Sequence, residues 1–157
     1  MRNPWTVPLT IALIVLVLDR WTKSLVIHHL PQGAILALTP FLNLVHVRNP
    51  GGAFGMGSSG GYRSSFFFIV VSLIAILVVI SLLRKLSHKE TLVRWSLGAV
   101  LGGGLGNLID RLLYGRVIDF IDFHIAQYHW PAFNLADSVI TVGLGLALWG
   151  YFKGKSR

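Results

Sequence analysis

The chain has no cysteine and only six acidic residues among 157. Without thiols there is no disulfide framework, no thiolate nucleophile and no cysteine-ligated metal. Lipid attachment through a cysteine of its own is excluded as well. Charge is sparse, at 13% of residues, where an average soluble domain carries roughly a quarter. Apolar side chains make up 54% of the chain, and they fall in long runs of the kind that cross membranes. A net charge of +8 in a soluble protein would raise nucleic acid as a partner. Here the lysines and arginines gather at the ends of apolar runs, where they set topology, so no nucleic-acid partner is expected. The length suits a single membrane domain, 1–157.

A bilayer core of about 30 Å takes about 20 helical residues to cross. Four runs meet that length, at about 8–28, 65–83, 95–113 and 132–152. The second, SFFFIVVSLIAILVVISLL, is uninterrupted, whereas the other three contain polar or charged residues. Between the second and third runs lie Arg84, Lys85, Lys89 and Arg94 against a single Glu90; the chain ends carry Arg2, Lys153, Lys155 and Arg157. The positive-inside rule places all of these on the cytoplasmic side. Both termini are then inside, and two loops, about 29–64 and 114–131, face outward. The first run begins like a signal peptide. It lacks a small-residue cleavage site and leads directly into Asp19-Arg20, so a retained span is expected. In the first outer loop, FLNLVHVRN alternates like a strand, Asn-Pro-Gly-Gly reads as a turn, and SSGGYRSS reads as a second flexible joint. The expected fold is mainly α, with four transmembrane helices and a small β-containing outer subdomain.

Ionisable groups inside a membrane cost about 2.5–3.5 kcal/mol each on insertion scales, so they mark candidate function. In GGGLGNLIDR, Asn107, Asp110 and Arg111 stand at i, i+3 and i+4 and share a helix face. Asp110 beside Arg111 suits an ion pair, and Gly102, Gly103, Gly104 and Gly106 let another helix approach closely. Taken alone, Asn107 and Arg111 fit a structural polar seam equally well. Asp19 and Lys23, at i and i+4, suit an ion pair along one face. A topology anchor explains that pair at least as readily as a contact to substrate or headgroup.

Asp119 and Asp122 in RVIDFIDFH fit a helix face or an extended segment. Asn134 and Asp137 in FNLADSVI open the fourth run, with no cation after them until Lys153. Asp137 therefore needs a proton, a hydrogen bond or a partner through space. Two carboxyls brought together from separate stretches would supply aspartic-protease chemistry, one protonated and one taking a proton from water. Other chemistries fit less well. His28 and His29 are adjacent, and His46, His88, His124 and His129 form no compact ligand set, so no metal is expected. Ser58, Ser59, Ser64 and Ser65 lie in the joint without a nucleophile-elbow motif.

Five motifs in order resemble those of the lipoprotein signal peptidases, the bacterial type II signal peptidases. They are DRWTK, VRNPGGAFG, GGGLGNLIDR, VIDFIDF and FNLADSVI, and they span nearly the whole chain. The resemblance implies an intramembrane aspartic endopeptidase, free of cofactor, in the bacterial inner membrane. It implies a catalytic dyad of Asp119 and Asp137, in preference to Asp122. It implies that Asn49, Asn107, Asp110, Arg111, Asn134, Asp19 and Lys23 support the site or contact substrate. It also implies cleavage just before a diacylglyceryl-modified cysteine of a prolipoprotein, contact with membrane lipids, and sensitivity to globomycin-type peptides. Gly52 and Gly55 depart from the family's usual alanine and serine. The alternative readings are a small proton- or ion-coupled transporter and a non-enzymatic assembly protein.

Overall fold

The structure is a computed structural model, and it describes residues 3–51 and 61–155. Helix α1 spans Thr6–His29 and leads into strands β1 (Ile35–Thr39) and β2 (Leu42–Asn49). Helices α2 (Gly61–Lys85) and α3 (Thr91–Tyr114) follow, then strands β3 (Val117–Ile125) and β4 (Tyr128–His129), and finally α4 (Leu135–Lys155). Among the described residues, three stretches are long and apolar enough to cross a membrane: Ser65–Lys85, Thr91–Tyr114 and Leu135–Gly154. The 24-residue α1 is as long as α3, but Asp19, Arg20 and Lys23 crowd its second half, and it falls outside that set. Charge density, rather than length, separates it from the expected group of four. The joint expected at SSGGYRSS is in part the start of α2, which is helical from Gly61. The rest of that joint lies outside the described residues, as do Gly52 and Gly55.

Helix α3 is the axis of the bundle. Its most apolar window is 67% buried, against 17% for those of α2 and α4. Glycine makes this possible. A methyl group at Gly102 would collide with the Ala12 carbonyl oxygen of α1, and one at Gly103 would sit 2.8 Å from the Ala136 carbonyl oxygen of α4. On the third side, Ile76, Val79 and Leu83 of α2 pack in one cluster with Leu97, Leu101 and Leu108 of α3. Along α3, Gly98 faces Pro8 and Gly106 faces Asp19, so α1 runs parallel to it. Gly103 faces Ala136 while Gly143 faces Val100 and Ser96, so α4 runs antiparallel. The charged half of α1, the polar half of α3 and the first turn of α4 thus meet at one end of the bundle. The outward faces of α2 and α4 expose Phe66, Leu77, Val142 and Trp149, a surface suited to lipid.

The sheet caps that polar end in the order β1-β2-β3-β4, with every pair antiparallel. FLNLVHVRN forms β2 as its alternation predicts. RVIDFIDFH, left open between helix and extended chain, forms β3. Gly115, in the left-handed conformation at φ 68°, ends α3, and its N–H reaches the Arg111 carbonyl at 3.0 Å. The chain therefore turns from α3 into β3 at once. Val47 pairs with Asp119 and Asn43 with Asp122, and a register shift lies between Leu44 and Val47. Because strand side chains alternate, Asp119 and Asp122, three residues apart, point to opposite faces.

Gly102→Ala is expected to lower the unfolding free energy in detergent by about 1–3 kcal/mol through overpacking against α1. Gly145→Ala, with nothing within 4 Å of the added methyl, should hold or raise the unfolding midpoint. Thermal denaturation of the two variants side by side checks both.

Candidate active site

A buried ammonium organises the polar end. Lys23 Nζ lies 2.8 Å from Asp19 Oδ2, 2.8 Å from Asp110 Oδ2 and 3.0 Å from Asn107 Oδ1. Lys23, Asp19 and Asp110 are fully buried. Arg20 also engages Asp110, so in this cluster two cations meet two carboxylates. The remaining acceptors are used as well. Asp19 Oδ1 accepts the Ala136 N–H at 3.1 Å in the first turn of α4, where the helix dipole favours an anion. Asp110 Oδ2 accepts the Ile118 N–H at 3.2 Å, which ties α3 to β3.

Three asparagines carry this order to two further carboxylates. In each, the side-chain oxygen faces a group that can only donate, and this fixes which way the amide points. Asn107 Oδ1 faces Lys23, so its Nδ2 donates to Asp137 Oδ1 at 2.8 Å. Asn49 Oδ1 accepts the Gly51 N–H at 2.9 Å, so its Nδ2 donates to Asp119 Oδ2 at 2.9 Å. Asn134 Oδ1 accepts the Asp137 N–H at 3.0 Å, so its Nδ2 donates to Asp119 Oδ1 at 2.7 Å. Asp137 Oδ2 in turn accepts the Asn134 N–H at 3.2 Å. Asn134 and Asp137 therefore close a reciprocal capping box at the start of α4. Asn134 touches both carboxylates, one through its side chain and one through its backbone.

The two acids of β3 differ in chemistry. Burial pushes the Asp119 carboxyl up to about 7. The Asn49 hydrogen bond opposes the rise, the nearby Asp137 charge adds to it, and Asn134 and Lys23 oppose it. At Asp122 burial also acts upward, but hydrogen bonds from Asn43 and His129, with the imidazole charges of His129 and His124, outweigh it. That carboxyl is held below its ordinary value. Asn43 Nδ2 reaches Asp122 at 2.8 Å and His129 Nδ1 reaches it at 2.9 Å. Asp122 thus belongs to a separate cluster on the other face of the sheet.

The Asp110–Arg111 pair expected from adjacency does not form. Neighbours on a helix point about 100° apart, and Asp110 turns toward α1. Arg111 Nη1 instead reaches the Asn107 carbonyl at 3.2 Å and Ser72 Oγ at 3.4 Å, with its guanidinium 5.8 Å from the Phe68 ring centroid. Asp137, Asp119 and Asp110 all lie within its electrostatic reach. Phe68 also underlies the turn at Gly51, where φ is 101° and an added methyl would strike the ring. Sequence reasoning passed over Phe68, Ser72 and the role of Arg20. Phe68 and Ser72 sit unmarked in an apolar run, and Arg20 reads as one more anchor charge. The N-x-x-D capping box was legible in FNLADSVI.

Comparison with known proteins covers most of the chain. The family described as "Signal peptidase (SPase) II" matches residues 11–153. The lipoprotein signal peptidase of Burkholderia mallei (strain SAVP1) is 48% identical over 146 residues, covering 93% of this chain and 86% of that protein. That of Polynucleobacter necessarius subsp. necessarius (strain STIR1) is 44% identical over 151 residues, covering 94% and 92%. A bacterial membrane enzyme solved by the in meso method at 2.3 Å superposes with a TM-score of 0.82. It shares 33% identity, over 95% of this chain and 89% of that one.

Lys23→Met leaves Asp19 without its cation and is expected to cost about 3–5 kcal/mol. The double variant Asp19→Asn/Lys23→Met should lose less than the sum of the single losses, as a double-mutant cycle of unfolding midpoints would show. Asp119 holds a proton more tightly folded than unfolded, where its ordinary value is 3.8. Its contribution to stability is complete below that value and is lost as pH rises to about 7. Asp119→Asn should remove this component from a pH series of unfolding midpoints.

Proposed function

The chain belongs to the signal peptidase II family, and from that membership we propose how its carboxylates do the family's work. It is a membrane protease that removes signal peptides from prolipoproteins. In our reading Asp119 and Asp137 are the catalytic dyad. The observation that carries it is Asn134, which donates to Asp119 at 2.7 Å and to Asp137 at 3.2 Å and so tethers both acids.

Asp119, buried and raised to about 7, carries the proton; Asp137, half-buried at the mouth of α4, is the base. A water molecule gives a proton to Asp137 while its oxygen attacks the scissile carbonyl carbon. Asp119 donates its proton to the carbonyl oxygen, and a tetrahedral diol forms. In the collapse Asp137 returns its proton to the leaving nitrogen, the C–N bond breaks, and Asp119 regains a proton from the diol hydroxyl. Asn49, Asn107 and Asn134 orient the dyad. Asp19, Lys23 and Asp110 hold Asn107 and α4 in place. Arg111 supplies positive charge beside the reacting group.

The scissile bond, in this reading, is the one before a diacylglyceryl-modified cysteine, whose acyl chains lie among the exposed apolar faces of the helices. In the same reading the enzyme is sensitive to globomycin-type peptides. Helix α1 is the fourth span, because its charges are neutralised inward while Leu13, Ile14, Val17 and Trp21 are exposed. Both termini are cytoplasmic and the dyad faces outward in the inner membrane, since Arg84, Lys85 and Lys89 cluster at the far end. A transporter reading is not favoured: beyond Asp137, α4 carries no ionisable group before Tyr151, so a proton relay has no continuation along it.

Asp119→Asn and Asp137→Asn should each reduce cleavage of a diacylglyceryl-modified precursor by about 10²–10⁴-fold or more, with the protein still inserted. Asp122→Asn should retain activity within a few-fold. For the unaltered enzyme, kcat/KM should fall as pH rises above about 7 and Asp119 loses its proton. Full activity in either dyad variant would remove the proposed chemistry.

A further inference from the structure

We propose that the end of the bundle opposite the sheet holds an anionic phospholipid by its headgroup phosphate. A cavity of about 600 Å³ opens there between the start of α3 and the last turns of α4. Two cations from separate elements line it, Lys89 from the α2–α3 turn and Lys153 from α4, with Leu92 and Tyr151 beside them. Among the described residues that line it, Glu90 is the one acid; its Oε2 accepts the Ser87 N–H at 2.7 Å and it keeps its charge, so two cations face one anion. Arg94, nearby in sequence, is spent internally on the Leu86 carbonyl at 2.9 Å and the Pro4 carbonyl at 2.6 Å. Among the described residues, Lys89 and Lys153 are thus the cations that the cavity presents.

Depth points to a lipid as the source of the phosphate. Lys153 Nζ lies 5.0 Å from the Trp149 ring centroid, and Trp149 and Tyr151 are both exposed. Tryptophan and tyrosine beside lysine mark the interface between headgroups and acyl chains. A basic pocket between helix ends at that depth is suited to an anionic headgroup, and Arg84 and Lys85 in the last turn of α2 add positive charge at the same end of the bundle. Leu92 also lines an adjoining apolar groove with Trp95, Val139, Val142 and Leu146, which suits an attached acyl chain and has no use for free phosphate.

The test is native mass spectrometry of the delipidated full chain, titrated with phosphatidylglycerol, with phosphatidylcholine of the same acyl chains, and with inorganic phosphate. One phosphatidylglycerol should be retained about fivefold more tightly than phosphatidylcholine, the net effect of two lysines against one glutamate. Lys89→Gln/Lys153→Gln should bring that preference to within about twofold, while cleavage of a precursor in detergent stays unchanged. Equal retention of the two lipids, an unaltered preference in the double variant, or displacement of the lipid by inorganic phosphate would each overturn the proposal.

Discussion

The structure depends on one ammonium group held out of water. Three oxygens from α1 and α3 surround the Lys23 ammonium: the Asp19 and Asp110 carboxylates pair with it at 2.8 Å, and Asn107 Oδ1 accepts its hydrogen bond at 3.0 Å. Two of those oxygens belong to buried carboxylates that also hold other elements: Asp19 of α1 holds α4 through the Ala136 N–H, and Asp110 of α3 holds β3 through the Ile118 N–H. The third fixes the amide of Asn107. Because lysine only donates, the Asn107 amide must turn its nitrogen toward Asp137. The placement of Asp137 thus follows in part from the position of the Lys23 charge, relayed through Asn107. A charge without its partner here would cost several kcal/mol, which is a strong constraint on how α1, α3 and α4 can meet.

The same constraint explains why β3 carries two aspartates with different chemistry. Strand alternation sends Asp119 toward the bundle and Asp122 away from it. Inside, desolvation and the nearby Asp137 charge favour the protonated acid. On the other face, Asn43 and the two histidines favour the ionised form. Identical side chains three residues apart take different states because the sheet sorts them between a buried polar cluster and an exposed imidazole pair.

Much of the fold was legible, because apolar run length and period-two alternation are local signals. The helices and β2 could be read from them. Adjacency misled at Asp110–Arg111, since sequence neighbours on a helix point apart and the true partners, Arg20 and Lys23, are about 90 positions away. Spacing alone leaves the choice between Asp119 and Asp122 open, and the preference for Asp119 rests on family resemblance; β3 shows only that the segment is a strand. Phe68 could not be read at all, because its role depends on a turn and a guanidinium brought to it only by tertiary packing.

The central claim is that one member of the carboxylate pair holds a proton near neutrality. Infrared titration of the full chain in detergent measures this directly, through the carbonyl band of a protonated carboxylic acid. The predicted result is a band that disappears with a midpoint near pH 7 and is missing from Asp119→Asn. A band that persists in that variant, or no protonated carboxyl at neutral pH, would contradict it.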